Sequence, residues 1–294
     1  LHKGQAGLPS CAPGPRCAVP PVQGGIPLPL GRPGAPLRGC PRTTAAAAMA
    51  FVEYMLQSPP TVEPEALVKW GVGCAVVDLV VFAVAYALTR PRDGSPAARK
   101  VARTRLAWSL TFFSAALTTV IGTMYLKYRL DTGVWEHNVI MMGDNLSVLV
   151  CVFFLVLNAL DLALGCIFYF EHLDPLSSWV HHTLYITLML YCLKINATSG
   201  FVLFTIEEYP TYVLALGRMD KSLRSDAVFG LSFGALRILL HFAGAVYSFT
   251  HPQPTDKGLI VFLILTCAMH GHWFSTWVRK YGMKLAAPSK AKRA

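Results

Sequence analysis

A small set of ionisable side chains stands inside otherwise apolar stretches: Asp78, Asp161, the pair His181 and His182, the pair Glu207 and Glu208, Arg237, His241, His270 and His272. An unpaired ionised group in hydrocarbon costs several kcal/mol, so such residues are expected to face one another and to mark a working site. Arg237 and His241 are four apart and share a helical face. Arg237 is therefore expected beside Glu208 or Asp161. Glu207 and Glu208 are adjacent and point about 100° apart, so each needs its own partner. Asp78 and Asp161 also fit a structural role, paired with Arg237 or with hydroxyls on neighbouring helices. The histidine pair has two readings. One imidazole orients its neighbour or a substrate while the other accepts a proton near pH 7, or both pack or meet lipid headgroups. His270 and His272 add imidazoles, yet no H-E-x-x-H or zinc-finger spacing is present, and the sequence assigns no metal.

These residues are spread over seven apolar stretches of membrane length, roughly 67–88, 106–127, 146–170, 179–195, 199–216, 228–249 and 258–278. A helical span needs about 20 residues, with about 17–25 tolerated. The expected fold is an all-α polytopic membrane bundle of about seven transmembrane helices. The fourth and fifth stretches are short and tightly joined through LKINATSG, which leaves six spans as the other count. Position along a span converts to depth at about 1.5 Å per residue. On that scale Asp78, Asp161, His181, His182, Glu207, Glu208, Arg237, His241, His270 and His272 lie at comparable depth and can converge on one polar cavity.

Loop charge orients the bundle. Fifteen Lys and Arg residues fall on one side, in the loop after the first stretch, the loop after the fifth (Arg218, Lys221, Arg224) and the C-terminal tail. The alternate loops carry only Lys127, Arg129, Lys194 and Lys257. The five basic residues of the leader oppose the asymmetry but lie well upstream of the first span, where charge counts weakly. The asymmetry predicts a cytosolic C-terminus and a cavity open toward the cytosol.

Composition agrees. The 294 residues are 54% hydrophobic and 14% charged, against about 25% charged in a soluble domain. Mean hydropathy is +0.46. The formal charge of +10 sits in loops and tails, where it meets anionic lipid headgroups, so no nucleic-acid partner is expected. Cys74, Cys151, Cys166, Cys192 and Cys267 read as small hydrophobes in apolar stretches. Residues 1–50, rich in Pro and Gly, form a disordered or targeting-like leader. Residues 51–99 hold the first span and its basic loop, 100–280 the main transmembrane domain, and 281–294 a basic tail. Lys290 and Lys292 in the closing KAKRA resemble a dilysine endoplasmic-reticulum retrieval signal.

Over residues 100–280 the chain resembles the TLC domain family, named for translocation-associated, ceramide-synthase and neuronal ceroid-lipofuscinosis membrane proteins. The marks are Asp161, WVHHTLYI at 179–186, NATSG at 196–200, EEYPTYVLALGRM at 207–219, FGALRI at 233–238 and HGHWF at 270–274. Ceramide synthases carry the histidine pair, then a glycine, then His-Asp and a further Asp. His181, His182 and Gly200 match, but Glu207, Glu208 and Thr211 stand at the last three positions. The Glu208-x-Pro-Thr211 form with Arg218 and Arg237 looks like the non-synthase branch, whose members are associated with membrane lipid composition and some with acyl transfer.

The resemblance implies two accounts of function. In one, the chain acts in lipid homeostasis by binding lipid, or by bracing a bundle or partner complex. In the other it is an acyltransferase using acyl-CoA as co-substrate, without a tightly bound cofactor. His182 then serves as base or acyl carrier and His181 as orienter. Asp161 or Glu208 holds an imidazole or the acceptor, while Arg237, Thr211, His241, His270 and Glu207 bind lipid or substrate. Membrane lipids are the expected partners, and an oligomer is permitted. Seven spans also suit a receptor, but residues 258–278 contain no lysine to hold retinal.

Overall fold

The computed structural model describes residues 63–91, 93–133, 142–251 and 255–286, with side chains through Tyr281. The leader and residues 287–294 of the C-terminal tail lie outside the described residues. Among those described, the elements are all helical.

Helix starts and stops follow local chemistry. α1 (Pro64–Leu88) opens with Pro64, whose missing N–H costs nothing in a first turn. α2 (Pro96–Thr132) is capped by Ser95, whose Oγ accepts from the Ala98 N–H at 3.2 Å. It stops at Gly133, where φ of 65° requires a residue without Cβ strain. α3 (Asn145–Phe168) begins with a reciprocal capping box between Asp144 and Ser147. Asp144 also accepts from the Tyr125 hydroxyl at 2.7 Å, and Tyr125 in turn accepts from Arg129 at 2.8 Å. At the opposite end Arg103 meets Glu171 at 2.9 Å. These two ties fix α2 and α3 antiparallel.

The next two helical stretches are interrupted. A π-wound turn, Pro175–Val180, precedes α4 (His181–Ile195), and Asp174 caps it by accepting from the Leu176 and Ser177 N–H groups. α5 (Thr198–Phe204) passes through a 3₁₀ turn, Thr205–Glu207, into α6 (Glu208–Met219). Pro210 supplies the reason for the break. It has no N–H for the Ile206 carbonyl, so an unbroken α-helix cannot run through this point. The Arg105 guanidinium on α2 donates to the Met219 carbonyl at 3.0 Å and closes the end of α6.

Five helices are long and apolar enough to cross a membrane: α1, α2, α3, α7 (Asp226–Thr250) and the Lys257–Tyr281 part of α8 (Lys257–Ala286). The expected stretches 179–195 and 199–216 differ from these. α4 is only 15 residues long, and α5 and α6 are separated by the 3₁₀ turn. The five apolar helices make this a multi-pass α-helical membrane protein. Their outward faces carry Val72, Val76 and Val80 on α1, Phe242 and Val246 on α7, and Val261 and Ile264 on α8, all exposed. An apolar surface this extensive suits lipid rather than water.

Inside, α3 is the central element. Its Val148 and Val152 pack with Cys74 and Phe82 of α1 and Leu110 of α2, and its Phe154 packs with Tyr185 and Met189 of α4 and Met269 of α8. α2 crosses the 3₁₀ turn at Gly122, where an added Cβ would stand 2.6 Å from the Ile206 backbone nitrogen and 2.5 Å from Thr205 Oγ1. Backbone cannot yield as a flexible side chain does. Gly122→Ala is expected to lower stability by about 1–3 kcal/mol through overpacking, read as a fall in thermal midpoint in detergent. Gly271→Ala, exposed with nothing near its Cβ, serves as the neutral control. At Asp174 the Ser177 backbone N–H holds the carboxyl below its ordinary range. Its capping contribution is therefore complete above the ordinary carboxylate pKa and is lost as pH falls through the lowered one. Asp174→Ala is expected to cost about 1 kcal/mol at neutral pH in the same melts, with the difference vanishing in acid.

Candidate functional site

A cavity of about 480 Å³ opens among α2, α3, α4, α6, α7 and α8. Asp161, His181, His182, Glu208, Thr211 and Arg237 all line it, although they come from four separate helices. Its wall also includes Arg218, Lys280 and the Arg224–Asp226 ion pair, closed at 2.9 Å, which leaves Arg218 and Lys280 as the surplus basic groups at the rim.

Arg237 is the most heavily bonded of these groups. Nη2 donates to Glu208 Oε1 at 2.6 Å and to Thr211 Oγ1 at 2.7 Å. Nε donates to the Glu207 carbonyl at 2.9 Å, and Nη1 lies 3.1 Å from His270 Nε2. Four of the five guanidinium N–H groups are thereby committed. Both partners of the Arg237–Glu208 ion pair are buried from solvent, with side-chain exposures of 5% and 12%. The π-wound turn of α7, Phe233–Leu239, carries Arg237. Such turns commonly occur where a helix must aim a functional side chain. His241, one turn on, leaves the Arg237 site and meets Glu207 at 2.7 Å. The adjacent glutamate side chains thus take separate partners, Arg237 for Glu208 and His241 for Glu207, as their angular separation requires.

At the other side of the cavity Asp161 Oδ1 accepts from the Tyr169 hydroxyl at 2.7 Å, while Oδ2 lies 3.6 Å from His182 Nε2. Side-chain exposures of 11% for Asp161 and 16% for His182 leave both in contact with the cavity space. His182 Nδ1 is buried and makes no hydrogen bond among the described residues. With the ring proton on Nε2, facing Asp161, Nδ1 offers an uncommitted lone pair. His181 stacks within aromatic surroundings, 4.6 Å from Tyr185 and 5.5 Å from Trp273 between ring centroids, which fixes the orientation of the pair.

Other expectations resolve differently. Asp78 lines neither this cavity nor the second one described below, and both of its oxygens are buried without a hydrogen-bond partner. The expected pairing of Asp78 with Arg237 or with hydroxyls is not made, because α1 faces α3 away from α7. His272 is exposed on the outer face of α8, since it lies two residues, about 200°, from the buried His270. Glu207 and His241 line a separate, mainly apolar cavity of about 170 Å³ bounded by Phe204, Tyr185, Phe262 and Thr266. Sequence reasoning missed Tyr169 and Thr266. Thr266 stands four residues before His270 and shares its face, a signal that was available. Tyr169 follows the end of α3, where no periodicity points it back at Asp161.

Arg237→Met is expected to cost about 3–5 kcal/mol, because it strands Glu208 without a counter-charge. Arg237→Lys should rescue little, lacking the planar fork that reaches several acceptors. Adding Glu208→Gln to Arg237→Met should recover part of the loss, measured as thermal midpoints in a double-mutant cycle. No protein-family model, curated protein or solved structure matches this chain.

Proposed function

We propose that this chain acts on membrane lipid composition through the larger cavity, and that its chemistry is transfer of an acyl group from a CoA thioester to an amphiphilic acceptor. The observation that carries the reading is the Tyr169–Asp161–His182 arrangement on the cavity wall, with Tyr169 donating to Asp161 at 2.7 Å and His182 Nε2 3.6 Å from the same carboxylate. Arg218 and Lys280 at the rim, beside the Arg224–Asp226 pair, suit an anionic headgroup or the CoA phosphates. The TLC-like motifs support the same class of reaction. In this reading α4 and the α5–α6 pair also cross the bilayer, giving seven spans in an endoplasmic-reticulum membrane. The C-terminus and the basic rim then face the cytosol.

The steps follow from the atoms available. His182 takes the proton of the acceptor amine or hydroxyl as that atom bonds to the thioester carbonyl carbon. The carbon–sulfur bond then breaks, and the thiolate recovers the proton from His182. Asp161, held by Tyr169, stabilises the transient imidazolium and keeps the ring oriented. Arg237 has one N–H left over, so its contribution is to hold Glu208 and Thr211 in place at the cavity wall.

A second reading uses the same cavity to bind lipid without turnover, and the apolar surface of α1, α7 and α8 favours a protein immersed among such ligands. Full-length protein in lipid nanodiscs, given labelled acyl-CoA and candidate amine and hydroxyl acceptors, distinguishes the two. The expected result is a labelled lipid product whose rate falls by about 10²–10⁴-fold in His182→Ala. Undiminished turnover in that variant removes His182 from the mechanism. No turnover, with native lipid retained through purification, replaces acyl transfer by lipid binding.

A further inference from the structure

Behind the cavity wall lies a second cluster, formed by Glu207 at the 3₁₀ turn, His241 on α7 and His270 on α8. All three residues are buried, at 3%, 5% and 0% exposure. One ligand atom from each lies within 4.8 Å of the other two. We propose that Glu207, His241 and His270 form a binding site for a divalent transition-metal ion of the zinc or iron(II) class.

The proton inventory leads to this reading. In the tautomer where Thr266 Oγ1 donates to the Phe262 or Leu263 carbonyl, it accepts from His241 Nε2–H at 3.2 Å. His241 Nδ1 therefore presents a lone pair, and it faces Glu207 Oε1 at 2.7 Å. Two lone pairs that close need a positive species between them. On the neighbouring ring, Arg237 donates to His270 Nε2, which leaves His270 Nδ1 buried with no hydrogen-bond partner. Neither Glu207 Oε1 nor His241 Nδ1 has a satisfactory hydrogen bond either, despite their short approach. One shared proton would satisfy Glu207 and His241 but would leave His270 Nδ1 stranded. A divalent ion satisfies all three.

The donor set and charge agree. Two imidazoles and one carboxylate are the ligands of three-coordinate protein sites for zinc and for iron(II), with further positions open. The smaller cavity, about 170 Å³ and lined by both Glu207 and His241, leaves room for water or another small ligand there. Glu207, Glu208 and Arg237 together carry one net negative charge, which a dication converts to one net positive charge. Binding at His270 Nδ1 moves the ring proton to Nε2. Arg237 gives up that contact but keeps Glu208, Thr211 and the Glu207 carbonyl. Thr266 supplies the outer-shell partner that fixes the His241 tautomer.

The test reads metal directly, so its outcome is independent of whether the chain transfers acyl groups. Untagged full-length protein, purified in detergent without chelator, is analysed by inductively coupled plasma mass spectrometry. Near one zinc or iron per chain is expected. After stripping with a chelator, Co²⁺ should give visible ligand-field absorption and Zn²⁺ should raise the thermal midpoint. Glu207→Gln and His241→Ala should abolish the Co²⁺ absorption. Should both variants fail to fold, the wild-type protein still decides the matter. Absence of stoichiometric metal, of a Co²⁺ spectrum and of a Zn²⁺-induced shift overturns the proposal and leaves a shared proton between Glu207 and His241. Metal retained equally by folded variants of all three residues also overturns it, as binding elsewhere.

Discussion

A guanidinium buried among helices must be met by acceptors on nearly every side, and at Arg237 this requirement organises the interior. Its bonds reach the Glu207 carbonyl on the 3₁₀ turn, Glu208 and Thr211 on α6, and His270 on α8. Three chain segments are thereby held in one relative position. Removing any of them would expose an unbalanced charge in a medium that solvates it poorly. The cavity beside this group keeps its shape because the cation that lines it has almost no alternative geometry.

Irregular backbone is what makes the arrangement reachable. A regular helix through residues 198–219 would send Glu207 and Glu208 out on fixed bearings. The 3₁₀ turn before Pro210 re-aims them so that one meets Arg237 and the other His241. π-wound turns precede the histidine pair and carry Arg237 itself. Each of these three irregularities carries or adjoins an ionisable residue of the cavities, whereas α1 and α3 run without one. Gly122 completes the set by allowing α2 to approach the 3₁₀ turn at backbone distance.

The two cavities divide the polar interior by character. The larger is basic at its rim and carries the Asp161–His182 pair on one wall. The smaller is mostly apolar and reaches the Glu207–His241 pair. Glu208 lines both, so the Arg237–Glu208 ion pair stands at the partition between them. Groups on one side of that partition can influence the other through charge without sharing a ligand.

The residue order alone determined that long apolar helices would form and that Arg237 would seek Glu208 or Asp161. These follow from hydropathy and the cost of lone charge, both local or one-body properties. It also placed Asp161, His182, Glu208 and Arg237 at similar depth. Which of several equally deep groups would pair was decided only by tertiary structure, because depth says nothing of bearing around the bundle. That is why Asp78, for all its suitable position in α1, stands apart from the cavity, and why Glu207, His241 and His270 gather behind the wall. Their meeting depends on a 3₁₀ turn and a π-wound turn, whose small rotations no helical periodicity records.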